Sequence, residues 1–270
     1  MRSAGVKTAP TALRPSHSRR WRTPLLRLAQ VGFVVGIIAL WAFAARDTEL
    51  AFTLGSPSRV LAYIVEWAQN GSLWGHLAAT LAAAAVGWIV GMALGSLVGI
   101  WVGLSPRLSA MFGPFFAFWL AFPRIVYYPF FAIALGYTVG SRMVHVVFVI
   151  IFLVIINTAA GIREVDRSMV ANVRMLGGSP LALLRDVYVP SALVWVMTSA
   201  RFTAGIALQS AIVAEFIGAN SGIGYLTVLG QNRFDVNFVW AAIALVVVVA
   251  FGLDRVLDLL QRTLTRWNTP

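Results

Sequence analysis

Cysteine is missing altogether from the 270 residues, lysine occurs once (Lys7), histidine three times, and charged residues make up only 11% of the chain. Each shortage removes a class of chemistry. Without cysteine there are no disulfides, thiolate metal sites or cysteine nucleophiles. A phosphate-binding loop ends in Gly-Lys-Ser/Thr, and the lone lysine lies in a polar N-terminal stretch. If ATP drives this protein, another chain binds it. His17, His76 and His145 are spread over the tail and two separate apolar segments, which argues against a histidine-ligated metal. There is also no alternating strand pattern and no internal repeat.

What is present is apolar. Hydrophobic residues make up 59% of the chain, with a mean hydropathy of +0.81. Soluble domains carry about 25% charged residues, so composition points to an all-α integral membrane protein. At ~20 apolar residues per span, the length accommodates roughly six spans with short loops. The net charge of +11 does not call for nucleic acid, because seven basic residues and no acids fall in the first 27 positions, next to an apolar run. A basic tail beside a span reflects topology. The run lacks a small-residue cleavage site and continues through Trp41-Ala42-Phe43, so it reads as an uncleaved span rather than a signal peptide.

Taken in order, residues 1–24 read as a disordered basic cytoplasmic tail, and 25–75 as a first span followed by an external segment with an interfacial helix near 60–67. Residues 76–260 read as the core, and 261–270 as a cytoplasmic C-terminal tail. The remaining spans are expected at 77–102, 108–135, 143–160, 192–213 and 238–253, with an outer re-entrant or loop segment at 215–237. Gly87, Gly91, Gly95 and Gly99 share one face of span two. Such a small-residue stripe lets another helix approach closely, with packing inside one subunit favoured over a dimer seam. Span three carries Pro114, Pro123 and Pro129 and is expected to kink. An even number of spans puts both termini in the cytoplasm. Fifteen basic residues then lie inside against Arg46, Arg59, Arg142 and Arg233 outside, which satisfies the positive-inside rule.

The one long polar interval between apolar segments is 163–191. It reads as two short helices: Asp166 or Ser168 caps the first, Gly177-Gly178 ends it in a left-handed turn, Ser179-Pro180 starts the second and Pro190 closes it. A capped two-helix element between spans is a docking surface. Within the spans the ionisable groups are Arg124, Arg201 and Glu215, with Asn157 and Gln209 as polar companions. Two non-exclusive roles are open to them: an internal polar network that fixes helix orientation, or the lining of a translocation path. Arg201 and Gln209, two turns apart, face the same way. Ser221 in Gly-Ala-Asn-Ser-Gly has no histidine after it, so a glycine-rich bend explains it better than a serine nucleophile.

The interval resembles the cytoplasmic coupling loop of bacterial ABC-importer permeases, the binding-protein-dependent inner-membrane component. The matching positions are Val170 to Arg174 around Ala171-Asn172-Val173, then Gly177, and Val187-Tyr188-Val189-Pro190. The family's Glu-Ala-Ala start has become Ala171-Asn172-Val173 here, which leaves Arg167 and Arg174 unopposed and implies complementary acids on the ATPase. Phe122-Pro123-Arg124 with Pro129, Asn157-Thr158 and Ala214-Glu215-Phe216-Ile217-Gly218-Ala219 are similar to the nitrate/sulfonate/taurine-type subfamily. The resemblance implies a type I importer permease fold in the bacterial inner membrane and no catalysis in this chain. Its partners would be two ATP-binding subunits that hold ATP and Mg, a second permease copy and an extracytoplasmic solute-binding protein. It also implies a small organic or inorganic anion as solute, although similar permeases serve riboflavin and thiamine precursors. The other functions open to the residues are an intramembrane lipid- or peptide-processing enzyme built on Glu215 and Ser221, and an ion-coupled secondary transporter with Glu215 as its membrane carboxylate.

Overall fold

A computed structural model of the protein describes residues 19–264, and all regular structure among the described residues is helical. In lipid this is what the backbone requires, because a helix satisfies its N–H and C=O groups within one segment. Residues 1–18 and 265–270, which hold most of the expected N-terminal tail and part of the C-terminal one, lie outside the described residues.

The chain divides into two compact units at Pro57. The first contains α1 (Arg19–Ala44) and α2 (Thr48–Leu54). α1 begins inside the stretch expected to be tail, and it exposes Phe33, Ile37, Leu40 and Phe43, as a lipid-facing helix does. The Trp41 indole N–H donates to the Leu54 carbonyl at 3.2 Å.

The second unit begins with α3 (Pro57–Gln69), the interfacial helix expected near 60–67. Its buried Trp67 meets Phe238 edge-on, and the Tyr63 hydroxyl donates to Asp235. There follow α4 (Ser72–Leu104), α5 (Pro106–Ala121), a 3-10 turn (Arg124–Tyr127), α6 (Tyr128–Leu135) and α7 (Val139–Arg163). Then come α8 (Arg167–Met175), α9 (Pro180–Leu183), a π turn (Leu184–Tyr188), α10 (Val189–Phe216), α11 (Ile223–Asn232) and α12 (Val236–Leu264). α12 runs into the expected C-terminal tail.

Four of these stretches are long and apolar enough to cross a membrane: α4, α7, the run Pro180–Phe216, and α12. Counted as one broken span, the bent pair α5–α6 makes a fifth, and Leu28–Ala44 of α1 is a shorter apolar helix.

α4, α7 and α10 form the core, with Ala83, Val146, Ile150, Val154, Ala207 and Ala211 buried together. The glycine stripe lies between α4 and α7 within one subunit, as favoured from sequence. A Cβ added at Gly87, Gly95 or Gly99 would come within 2.5 Å of Val146, 2.7 Å of Val154 and 2.7 Å of Thr158. Gly103 extends the stripe one turn, against Ile162 at 2.7 Å. Because both rows repeat every four residues, each β-branched side chain of α7 drops into a gap in α4.

Two expectations are corrected. Span three is not one kinked helix: α5 and α6 meet at 94°. Pro123 removes a donor at the break and Pro129 starts α6, so the chain turns where the hydrogen-bond ladder is already interrupted. Likewise Pro190 does not close the second helix of the polar interval. It sits in the first turn of α10, directly after the π turn, and the helical run is continuous from Pro180 to Phe216. The wider turn absorbs the missing N–H and the ring that would otherwise press on the carbonyl four residues earlier.

Candidate functional site

Two sites stand at opposite ends of α7, whose 25 residues separate them by roughly 37 Å at 1.5 Å per residue.

At the C-terminal end of α7 is the polar interval. Asp166 caps α8 by accepting the Ser168 N–H at 2.8 Å, so of the two candidates Asp166 is the cap. Leu176 ends the helix, and Gly177 follows with φ +77°. The Gly178 N–H reaches back to the Val173 carbonyl at 2.9 Å and the Gly177 N–H to that of Arg174 at 3.0 Å. These are the two bonds of a Schellman motif, with Gly177 at the left-handed position. Gly178 is needed for a different reason. A Cβ there would stand 2.5 Å from Val173 Cγ1, so the chain leaves pressed against the helix it has just ended. Ser179 Oγ accepts the Ala182 N–H at 3.2 Å, with Pro180 in the first turn. No residue of α8 is buried. Met169, Met175, Leu176 and Leu181 are exposed to between 54% and 88%, an apolar crown that a solvated loop has no reason to carry.

At the N-terminal end of α7 is a network the sequence reading missed. A capping box of Thr138 and Ser141 starts α7, four residues before the apolar run at 143–160. This draws Arg142, expected in an outer loop, into the interior, where its side chain is fully buried. Arg142 Nη1 lies 2.9 Å from Glu215 Oε1 and 2.8 Å from the Ser221 carbonyl, Nη2 donates to Ser221 Oγ at 2.9 Å, and Nε donates to the Thr138 carbonyl at 3.2 Å. Glu215 also accepts the Gly224 N–H at 2.8 Å and faces Thr80 Oγ1 at 2.8 Å and 3.0 Å. Thr80 in turn accepts the Ile223 N–H at 2.9 Å, and His76 Nδ1 accepts that of Gly222 at 3.1 Å. A Cβ at Gly222, whose φ is +114°, would collide with the Glu215 carboxyl group. The network therefore ties α4, α7 and α10 to the 217–224 bend, leaving Ser221 as an arginine ligand rather than a nucleophile.

The other sequence-predicted residues are dispersed. Arg201 and Gln209 share the exposed face of α10, as expected, and Arg201 pairs with Asp254 at 2.7 Å and Asp258 at 3.3 Å on α12. Arg124 is half-buried in the turn between α5 and α6, and Asn157 is half-buried on α7. Glu215 is separated from all four. Its partner was within reach of sequence: Glu215 is the one acid between 187 and 234, and a membrane carboxylate needs a cation at its own depth. No group of three metal-ligating side chains occurs among the described residues.

A polytopic helical bundle with a doubly capped, exposed element at one end is a membrane protein that acts through docked partners. The chain belongs to the family of binding-protein-dependent transport system inner membrane components, whose model matches residues 91–266. It is 33% identical over 251 residues to the putative aliphatic sulfonates transport permease protein SsuC of Escherichia coli (strain K12), covering 93% of this chain and 94% of that one. It is 30% identical over 264 residues to the taurine transport system permease protein TauC of the same organism, covering 93% and 95%. Its fold matches a chain of the inward-facing MetNI methionine ABC transporter with a TM-score of 0.57 at 17% identity, over 74% of this chain and 97% of that one. The protein is thus a permease component of an ATP-driven importer with a type I importer fold. It is not itself catalytic, because ATP is hydrolysed in a separate subunit. The enzyme and secondary-transporter alternatives fall with that assignment.

Proposed function

We propose that this permease forms the translocation path for a small organic anion of the sulfonate or taurine type. α8, with its caps and the Gly177 turn, is the element on which the ATPase pushes. The observation that carries the coupling role is the pairing of complete caps with complete exposure: α8 is held as a rigid rod yet buries nothing of its own. Asp166, Val170, Ala171, Asn172, Val173, Arg174, Gly177, Gly178 and Ser179 make up this element. Pro190 takes a different part, since the helix it enters is continuous with α10. Displacement at α9 therefore passes into a spanning helix without a joint.

The assembly we infer has two permease copies, two ATPases carrying ATP and Mg, and a solute-binding protein on the far side. Both termini and α8 face the cytoplasm. The distribution of arginines supports this orientation. Arg124, Asn157 and Gln209 have no hydrogen-bond or ion-pair partner among the described residues and would supply polar groups to the path. Arg201 lies on the same face as the open position at Gly205, where a Cβ meets nothing within 4 Å, but its guanidinium is held by Asp254 and Asp258. Glu215 serves as a structural anchor instead. Anion selectivity is supported by the two sulfonate-type relatives and by the unpaired Arg124.

Gly177→Pro tests the coupling role, because proline cannot take a φ of +77°. With the ATPase and binding protein reconstituted, assembly or transport-coupled ATP hydrolysis should be lost; if both survive, α8 is not the coupling element. Thermal-shift screening of the cognate binding protein should find a sulfonate or related compound, and a ligand that carries no anionic group would sink the anion reading. The cysteine-free chain also permits single-cysteine crosslinking. A cysteine at Gly205 or Gln209 should link two copies if this face of α10 lines a path shared between them.

A further inference from the structure

Behind α8 lies a cavity of about 580 Å³ that neither the fold nor the ATPase-docking role requires. Its position is fixed by helix ends. Leu104 and Pro106 come from the α4–α5 turn, Ile162 and Arg163 from the end of α7, and Tyr188 from the π turn. α8 supplies Arg167, Val170, Ala171 and Arg174, positions whose three- and four-residue spacing defines one helix face. That face is distinct from the one bearing Met169, Asn172 and Leu176. The two arginines expected to await acids on an ATPase are therefore turned toward the bundle.

The lining chemistry is one-sided. Three guanidinium groups border the cavity and no carboxylate does: Glu164, Asp166 and Asp186, the acids of the neighbouring segments, are not part of its wall. Arg163 donates to Ser109 Oγ, whereas Arg167 and Arg174 have no partner among the described residues. The remaining wall, from Leu104, Ile162, Val165 and Val170, is apolar. A cavity that is cationic on one side and apolar on the other, at the level where spanning helices end, matches the boundary between a phosphodiester headgroup and its acyl chains. A free oxyanion would have no use for the apolar wall.

We infer that this cavity is a binding site for the headgroup of an anionic glycerophospholipid. Arg167 and Arg174 hold its phosphate, while Tyr188 and the apolar wall pack against its glycerol and first methylenes. A lipid seated there would wedge α8 against the ends of α4 and α7 and so set the height of the coupling element above the bilayer. The inference rests on the cytoplasmic placement of α8 proposed above, because anionic lipid of that leaflet is the ligand.

The test compares the full chain, assembled with its ATPase in vesicles of mixed phosphatidylglycerol and phosphatidylcholine, with the double variant Arg167→Gln/Arg174→Gln and with Arg185→Gln. Arg185 is an exposed arginine of the same segment outside the cavity. Lipid retained after extraction into neutral detergent is counted by native mass spectrometry, and inorganic phosphate is added as competitor. The parent and Arg185→Gln should retain phosphatidylglycerol selectively, and the double variant about thirtyfold less, since each of two basic residues near a charged surface contributes about fivefold. Millimolar inorganic phosphate should not displace the lipid. Equal retention by the double variant overturns the site, and displacement by inorganic phosphate overturns the lipid in favour of a free oxyanion. If the double variant loses the ATPase while keeping its lipid, the arginines serve the ATPase and the inference fails. If instead Gly177→Pro keeps its coupling while lipid retention still depends on Arg167 and Arg174, only the coupling role fails.

Discussion

The two ends of α7 handle charge in opposite ways. At one end Arg142 and Glu215 are removed from solvent, and each is paired and hydrogen-bonded within the subunit. At the other end Arg167 and Arg174 stand exposed without partners on a helix that buries nothing. A buried charge in a low-dielectric surrounding is tolerated only when paired and hydrogen-bonded, so the first end is rigid because its alternatives are costly. The second end keeps its groups free for something outside the subunit. One helix thus joins a buried, paired end to an exposed, unpaired one.

The sharpest way to break this comparison is to remove half of the buried pair. Arg142→Ala or Glu215→Ala should each destabilise the protein by about 3–5 kcal/mol, read as folded yield and thermal unfolding in detergent, because the partner is left as an uncompensated charge. The double variant Arg142→Met/Glu215→Gln keeps an acceptor for Gly224 and Thr80 without a lone charge, and should recover more than half of that loss. If the single variants unfold like the parent, the pair is not an anchor.

Next in size come the glycines of the two ends. Gly222→Ala meets both a disfavoured backbone, at about 1–3 kcal/mol, and the Glu215 carboxyl group directly in its way. Gly177→Ala meets only the backbone, since nothing lies within 4 Å of its Cβ, and should cost ~1–2 kcal/mol confined to α8. Global unfolding should register the first, and hydrogen exchange in 167–178 the second. Equal global effects would mean that α8 is part of the folded core.

The smallest effect is one of pH. Hydrogen bonds from Ser168, main chain first and then side chain, hold the Asp166 carboxyl below its ordinary 3.8. A carboxyl lowered on folding contributes stability that is fully present above its unfolded value and lost as pH falls through its folded one. Amide protection at the start of α8 should accordingly be unchanged from neutrality down to that value and decline below it, while Asp166→Asn should remove the dependence. No decline would show that the cap is not held by the charged form.

Much of the site was legible beforehand because its signals are local. Asp166, Gly177, Gly178, Ser179 and Pro180 are capping residues at capping spacings, and the structure uses all five as such. The glycine stripe was legible for the same reason, since periodicity along one helix names the face that a neighbour approaches. Where the sequence misled, a residue's role depended on something distant. Arg142 looked like a loop cation until a capping box extended α7 backwards and set it opposite a glutamate 73 positions away. Pro190 looked like a stop until the π turn made room for it, and of three prolines read as kinks Pro114 stays inside α5 while Pro123 and Pro129 stand at a bend of 94°.

By itself, then, the sequence determined that this is a helical membrane protein that lacks a Gly-Lys-Ser/Thr phosphate loop and carries one capped polar element between its apolar segments. Composition, helix caps and charge asymmetry act over a few residues or over the whole chain, and neither kind of signal needs a fold. Only the tertiary structure decided which charges are buried together, which face of α8 looks inward and where the spanning helices break. These are consequences of which helix ends meet, and the pairing energy that makes a buried arginine tolerable exists only once its glutamate has arrived beside it.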